Sequence, residues 1–496
     1  MRTRIYTFIK ALALGIVLTA TINNVSAQWS ESNILFPGEA SPEPGPFWVA
    51  PVIVAEKDAS GTIHLVWANK VSDEANVLAH AAYSNGSWSQ MEILPSIPNS
   101  SAMLPSLTIS PDGRLHVSYT CMLPDGSWGI AYTSKSTGAD DWSLPVIVSQ
   151  AGFALNAYAQ IFCDNQQMPH VLYIAFGDDG ESSFLKHVKF SSSNPSQTEQ
   201  MAVPANSTGA FNPKLVKSAN GNVQCFWYVL VNEEEKIMYS SYDGSLWSAT
   251  EIIATSSNGL MMDEASIVPV ATGMNELYAF WYSMDPEAGM YRKYTPGSGW
   301  TAQQQVDDAA FVMASGISDN PGNIHIAGNL NDNLNEIYDM KYHRLQGNQW
   351  IHEVIEPATS EILPTFPVMV ISGDTLYCFY LRYFESGSSQ LIERWKVLDY
   401  LTPVKDIQVN KAIALKVYPN PVQHSSMVTL NTPVSGVVTF TLTGILGRTE
   451  TISMMIQDPG TISIELSDLF QVDQFKGTCI LQVVTPAGRD NAMLVF

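Results

Sequence analysis

Gly113–Tyr119 reads GRLHVSY and Asn222–Trp227 reads NVQCFW. Both are short apolar runs that open on turn residues and close on an aromatic ring. Five more runs share the plan: GTIHLVW (Gly61–Trp67), PHVLY (Pro169–Tyr173), ELYAFW (Glu276–Trp281), NIHIAG (Asn323–Gly328) and TLYCFY (Thr375–Tyr380). Aligned on His64, His116, His170, Gln224, Tyr278, His325 and Tyr377, they recur at intervals of 52, 54, 54, 54, 47 and 52 residues. Three positions on stand Trp67, Tyr119, Tyr173, Trp227, Trp281, Gly328 and Tyr380, all aromatic but one. A strand-and-turn period near 50 residues predicts a β-propeller with one four-stranded blade per repeat. The fold class expected is all-β, a seven-bladed propeller followed by a small Ig-like antiparallel sandwich.

Each anchor run is preceded by an apolar stretch such as LPSLTIS, YAQIFCD, PKLVKS or FPVMVIS, assigned to the innermost strand. After the anchor comes a third strand, a Gly/Asn/Asp turn, and usually a tryptophan opening the outer strand: Trp88, Trp142, Trp247, Trp300 and Trp350. The third repeat has NPSQTEQMAV there instead. The seventh lacks an outer strand, and WSESNIL from Trp29 supplies one from the other end of the chain. Pairing the two would close the ring and leave no open sheet edge.

The turn-and-tryptophan stretches YSNGSW, SSYDGSLW and YTPGSGW resemble the Asp-box repeat of sialidase-like propellers, in degenerate form. In that family the box is a structural turn on the face away from the active site. The resemblance implies fold and carries no catalytic residue.

Residues 1–27 read as a secretory signal: Arg2, Arg4 and Lys10, an apolar run from Ala11, then Val25-Ser26-Ala27 at the expected cleavage site. The apolar run is too short to anchor in a bilayer, and no longer one follows. Removing that segment takes the formal charge from −22 to −25, because it contains no acid. So acidic a chain repels nucleic acid and anionic membranes. The five cysteines have no metal-type spacing, and the places of Cys225 and Cys378 in separate repeats favour buried free thiols over disulfides.

After Pro403–Ala414 the composition changes, and LKVYPNPV, GVVTFTLTGILGR, GTISIELSDL and a final strand-rich stretch follow. This resembles the C-terminal sorting domain of the type IX secretion system of Bacteroidota, most specifically at Tyr418-Pro419-Asn420-Pro421. The family usually has Tyr where Cys479 stands here. The resemblance implies the secretion machinery as a partner, passage across the outer membrane, and release or surface attachment. The expected domains are the signal (1–27), the propeller (28–404, with residues 29–35 completing its last blade), a linker (405–414) and the sorting module (415–496).

The loops after each second strand share a rim with the loops between blades, where propeller ligands usually bind. The former hold fourteen acids against Lys70, Lys236 and Arg382. A grip on a sialic-acid carboxylate needs several arginines, because guanidinium pairs hold a planar anion in two places. The propeller holds only Arg114, Arg292, Arg344, Arg382 and Arg394, so sialidase or uronate-lyase action is disfavoured and a neutral or cationic ligand is expected. Rim aromatics among acids suit sugar rings. The candidates are Trp48, Trp128 and Tyr158 with Asp178, Asp179, Asp263 and Glu264.

Two readings stay open beside that of a surface or stalk scaffold without a small ligand. One is a non-catalytic module binding a glycan or protein; the other is a glycoside hydrolase on a neutral polysaccharide with paired rim carboxylates. The aligned histidines lie in separate blades and cannot converge on a metal, so no cofactor is expected. Calcium at NDNLNE (Asn331–Glu336) is the one cation considered, although the stretch lacks EF-hand spacing.

Overall fold

The computed structural model describes residues 28–36, 53–72, 75–179, 182–231, 234–256, 267–284, 287–306, 313–329, 339–384, 388–398, 414–423, 425–444, 448–486 and 488–496. The chain divides into two compact units, Met1–Asp399 and Tyr400–Phe496.

Among the described residues of the first unit there are seven antiparallel sheets of four or five strands. Their first strands are Ile53–Lys57, Ser101–Ile109, Leu155–Cys163, Ala210–Lys217, Val268–Ala271, Met313–Ser318 and Ile362–Ser372, and they number sheets 1 to 7. Each lies beside the first strands of both neighbours, and the seventh returns to the first. This cyclic stacking around an axis is a β-propeller. Asn33–Leu35 pairs antiparallel with Leu391–Glu393 and so forms the outer strand of sheet 7. Arg394 Nε donates to the Ser30 carbonyl at 2.7 Å, fastening the same segment.

The outer tryptophans wedge neighbouring sheets together. Trp300 of sheet 5 meets Phe226 and Tyr239 of sheet 4 edge-on, at 6.1 and 5.3 Å between ring centroids. Trp350 of sheet 6 does the same to Phe280 and Tyr291 of sheet 5. Trp88 of sheet 1 packs on Phe379 of sheet 7, and Trp29 on Tyr342 of sheet 6. Such edge-to-face pairs add roughly 0.5–1.5 kcal/mol to the large burial of each ring.

The repeat anchors serve the turns. In sheet 2, buried His116 bonds Tyr132 Oη through Nδ1 (2.8 Å) and Ser110 Oγ through Nε2 (3.0 Å). In sheet 4 the amide of Gln224 does the same work: Tyr239 Oη donates to Oε1 (2.7 Å), and Nε2 donates to Ser218 Oγ (3.0 Å). His170 and His325 reach Asp164 and Asp319 in the corresponding turns. The turn itself is closed by the Gly221 N–H to the Ser218 carbonyl, with Gly221 at φ +90°, where a Cβ would be strained. These three histidines are therefore occupied within their own repeats. All five cysteines are free and buried.

The second unit has a three-stranded sheet (Ala414–Tyr418, Met427–Thr432, Gly460–Glu465) and a four-stranded one (Thr449–Ile456, Gly436–Gly444, Thr478–Thr485, Gly488–Val495). One core built on Leu430, Phe440, Leu442, Leu481 and Val483 joins them. Pro419 is held locally, and Asn420 ties the start of the unit to its end. Ser426 Oγ donates to the Pro419 carbonyl, and Asn420 Oδ1 accepts the Val495 N–H at 3.0 Å. Tyr418 is exposed, and the Tyr418–Pro419 and Asn420–Pro421 bonds are cis. No described helix is long and apolar enough to cross a membrane.

Candidate functional site

Four innermost strands share an irregularity that builds the axial end of the propeller. In sheet 2, Met103 pairs with Thr120 and Ser106 with Ser118, so Leu104 and Pro105 together oppose Tyr119. In sheets 3, 4 and 7 the same break sets Tyr158-Ala159 against Tyr173, Asn212-Pro213 against Trp227, and Phe366-Pro367 against Tyr380. The opposing residues are the aromatic positions of the sequence repeat. Two residues facing one make a β-bulge, which bends a strand and re-aims the side chain that follows. Proline suits the second position because it brings no N–H that the broken ladder would leave unpaired.

The first bulge residue takes a left-handed backbone in all four: Leu104 (φ 51°), Tyr158 (57°), Asn212 (43°) and Phe366 (52°). For residues with a Cβ this costs of order 1–3 kcal/mol each, and strain of this kind concentrates where function demands a fixed geometry.

Beyond the bulges, Ser106, Gln160, Lys214 and Val368 line an axial cavity of about 260 Å³, joined by Val268 and Ser315 from sheets 5 and 6. Its polar side is the sector of sheets 2 to 4. Ser106 Oγ accepts the Ile161 N–H (3.1 Å), and Gln160 Nε2 donates to the Ala159 carbonyl (3.0 Å). Lys214 is half-buried, and burial pulls its pKa down to about 8. Glu56, on the sheet 1 strand, moves the other way. Burial raises it to about 8 against a backbone hydrogen bond from Ile109 and the charge of Lys217.

Half-buried aromatic rings gather above the same sector. Trp128 and Tyr158 pack with Met103 and Leu104. Tyr158 lies 6.4 Å from Phe176, and Phe176 lies 5.9 Å from Phe211, between ring centroids. A smaller recess under this arc is lined by Leu104, Tyr158, Asn212 and Lys214, so the rings and the channel lysine share one hollow. Asn156 holds the Trp128 carbonyl at 3.0 Å.

Of the residues selected from sequence, Trp128 and Tyr158 come together. Asp178 and Asp179 sit exposed on the loop after Phe176, and Asp179 Oδ1 accepts the Ser182 N–H (2.9 Å) and hydroxyl (2.7 Å). Trp48, Asp263, Glu264 and the Asn331–Glu336 stretch lie outside the described residues. Phe366, the first bulge residue of sheet 7, is buried and also lines the axial cavity. Among the described residues no His/Cys/Asp/Glu group has metal-holding geometry.

Three propeller arginines are spent on structure. Arg292 bonds the Thr301 and Ile253 carbonyls, while Arg382 and Arg394 share Glu356, which also accepts from Tyr380 Oη. Sequence reasoning missed Ser106, Gln160 and Lys214. Their signal was the recurring LPS, YAQ, NPK and FPV, of which the first three end ten residues before the anchor.

No protein-family model matches the sequence, and no curated protein is similar to it. Distant likenesses exist among solved structures. The BP39L lectin from Burkholderia pseudomallei is 16% identical with a TM-score of 0.49, over 70% of this chain and 96% of its own. The polysaccharide lyase Uly1 is 11% identical with a TM-score of 0.48, over 75% and 94%. Trypanosoma rangeli sialidase is 9% identical with a TM-score of 0.46, over 94% and 89%. At these values no activity passes from any of them to this chain.

Proposed function

We propose that the protein is an exported propeller that binds a glycan at the axial mouth of sheets 2 to 4 without cleaving it. The arc of Trp128, Tyr158, Phe176 and Phe211 beside a polar hollow is the observation that carries this reading. A sugar ring offers apolar C–H faces for such rings and hydroxyls for amides such as Asn212 and Gln160. Cleavage by the usual route needs two carboxylates about 5–9.5 Å apart across the bond. Among the described residues no acid lines the axial cavity or the recess under the arc, which favours holding over hydrolysis.

Export is proposed on the leader-like residues 1–27 and the resemblance at Tyr418-Pro419-Asn420-Pro421. In this proposal type IX machinery takes up the C-terminal unit and delivers the propeller to the medium or the cell surface. The test is a glycan array with the mature chain, followed by a reducing-end assay on each hit. Saturable binding with no new reducing ends is expected; release of reducing sugar would make the hydrolase reading the correct one.

A further inference from the structure

We propose that Lys214 receives one anionic substituent of the bound glycan, a carboxylate or a sulfate ester, at the floor of the mouth. This rests on the glycan reading and narrows it. The Lys214 ammonium makes no hydrogen bond or ion pair with any described residue. Drawing an ammonium partly out of water without a partner is unfavourable, and the strained bulge at Asn212 immediately precedes it in the strand. Such a group is stabilised when a ligand brings the missing negative charge.

Three of the described loop acids are engaged within their own loops. Asp125 is bound to the Ser127 N–H and hydroxyl, Asp179 to Ser182, and Glu234 to Lys236. Their field on an approaching anion is screened over about 8 Å at physiological salt, whereas a desolvated contact inside the channel is screened much less. Counting acids along the loops points to a neutral or cationic ligand; the placement of the charges favours one anionic group. Lysine acts as a point charge and fits a single anion, with no fork to orient it. The cavity of about 260 Å³ is at the small end of ligand sites, enough for one charged sugar residue and not for a polyanionic chain. Deprotonation near pH 8 would end the preference.

The experiment is calorimetric titration of the mature chain with three matched oligosaccharides: neutral, ending in a uronate, and ending in a sulfate ester. At pH 6.5 one acidic form should bind at least about tenfold tighter than the neutral one. Lys214→Met should erase the difference, and Lys214→Arg should retain it. Should Lys214→Met fail to fold, acetylation of the unmodified protein gives an independent readout by peptide mass mapping. Lys214 should be shielded by the acidic oligosaccharide and not by the neutral one. Equal affinities for all three sugars, a preference surviving in Lys214→Met, or equal shielding by both sugars would overturn the proposal. Neutral binding without charge preference would leave the glycan reading standing, and binding of none would end both.

Discussion

Trp29 meets Tyr342 edge-on, with ring centroids 5.4 Å apart and planes at 82°. One residue stands at the start of the described chain and the other in the third strand of sheet 6, so their contact completes the ring of outer tryptophans. Trp29→Ala removes a buried ring and leaves a cavity, and should lower stability by roughly 3–5 kcal/mol. Urea unfolding of the mature chain checks it. A double-mutant cycle with Tyr342→Ala should return about 0.5–1.5 kcal/mol of coupling. A midpoint unchanged in Trp29→Ala would mean that this segment does not hold the ring.

His116 predicts an acid sensitivity of definite sign. Burial pulls its pKa down to about 4, helped by the charge of Arg114 and opposed by Asp112. The folded protein therefore keeps it neutral while the unfolded chain takes up a proton near pH 6.5. Its contribution is intact above pH 6.5 and is lost as pH falls toward 4, on the order of 3 kcal/mol in all. His170 is pulled down to about 4 and His187 to about 3, with burial the first cause in each, so their losses have the same sign. Gln224 makes the same two hydrogen bonds in sheet 4, so His116→Gln should leave stability at pH 7 within about 1 kcal/mol and flatten the loss between pH 6.5 and 4. Melting temperature against pH for both proteins decides it; identical slopes would contradict the account.

Glu92 acts over a lower window. Burial opposes its ionisation, but hydrogen bonds from His80, Lys135 and Trp142 prevail and bring its pKa to about 2. Its stabilising effect is complete above about pH 4.5 and disappears toward 2. Glu92→Gln should therefore destabilise at pH 7 and make little difference at pH 2.

Asn420 should matter within the second unit. Asn420→Ala leaves the Val495 N–H without its acceptor, a loss of about 0.5–1.5 kcal/mol. Hydrogen exchange at Val495 should quicken in the variant while exchange in the propeller core does not. Unchanged exchange at Val495 would refute the tie.

The fold was legible because a propeller repeats one pattern, and aromatic positions such as Tyr119 and Trp227 recur where each sheet must fill the same space. The bulges were not legible as such. Leu104-Pro105 and Asn212-Pro213 read as ordinary apolar-run residues until pairing shows each couple opposing a single aromatic. Lys214 escaped notice for the same reason: a lysine in a strand reads as a solvated edge, and only ring closure turns that edge toward the axis. Asp178 and Asp179 drew attention because charge counting weighs every loop acid equally. The structure shows Asp179 capping its own turn.

The most direct test is calorimetric titration of the mature protein with its best array glycan, beside Tyr158→Ala and Trp128→Ala variants that keep the wild-type melting temperature. The account predicts saturable binding, at least about tenfold weaker in Tyr158→Ala since one stacked ring contributes on the order of 1–3 kcal/mol by burial, with no reducing ends released. Affinity unchanged in both variants would contradict it.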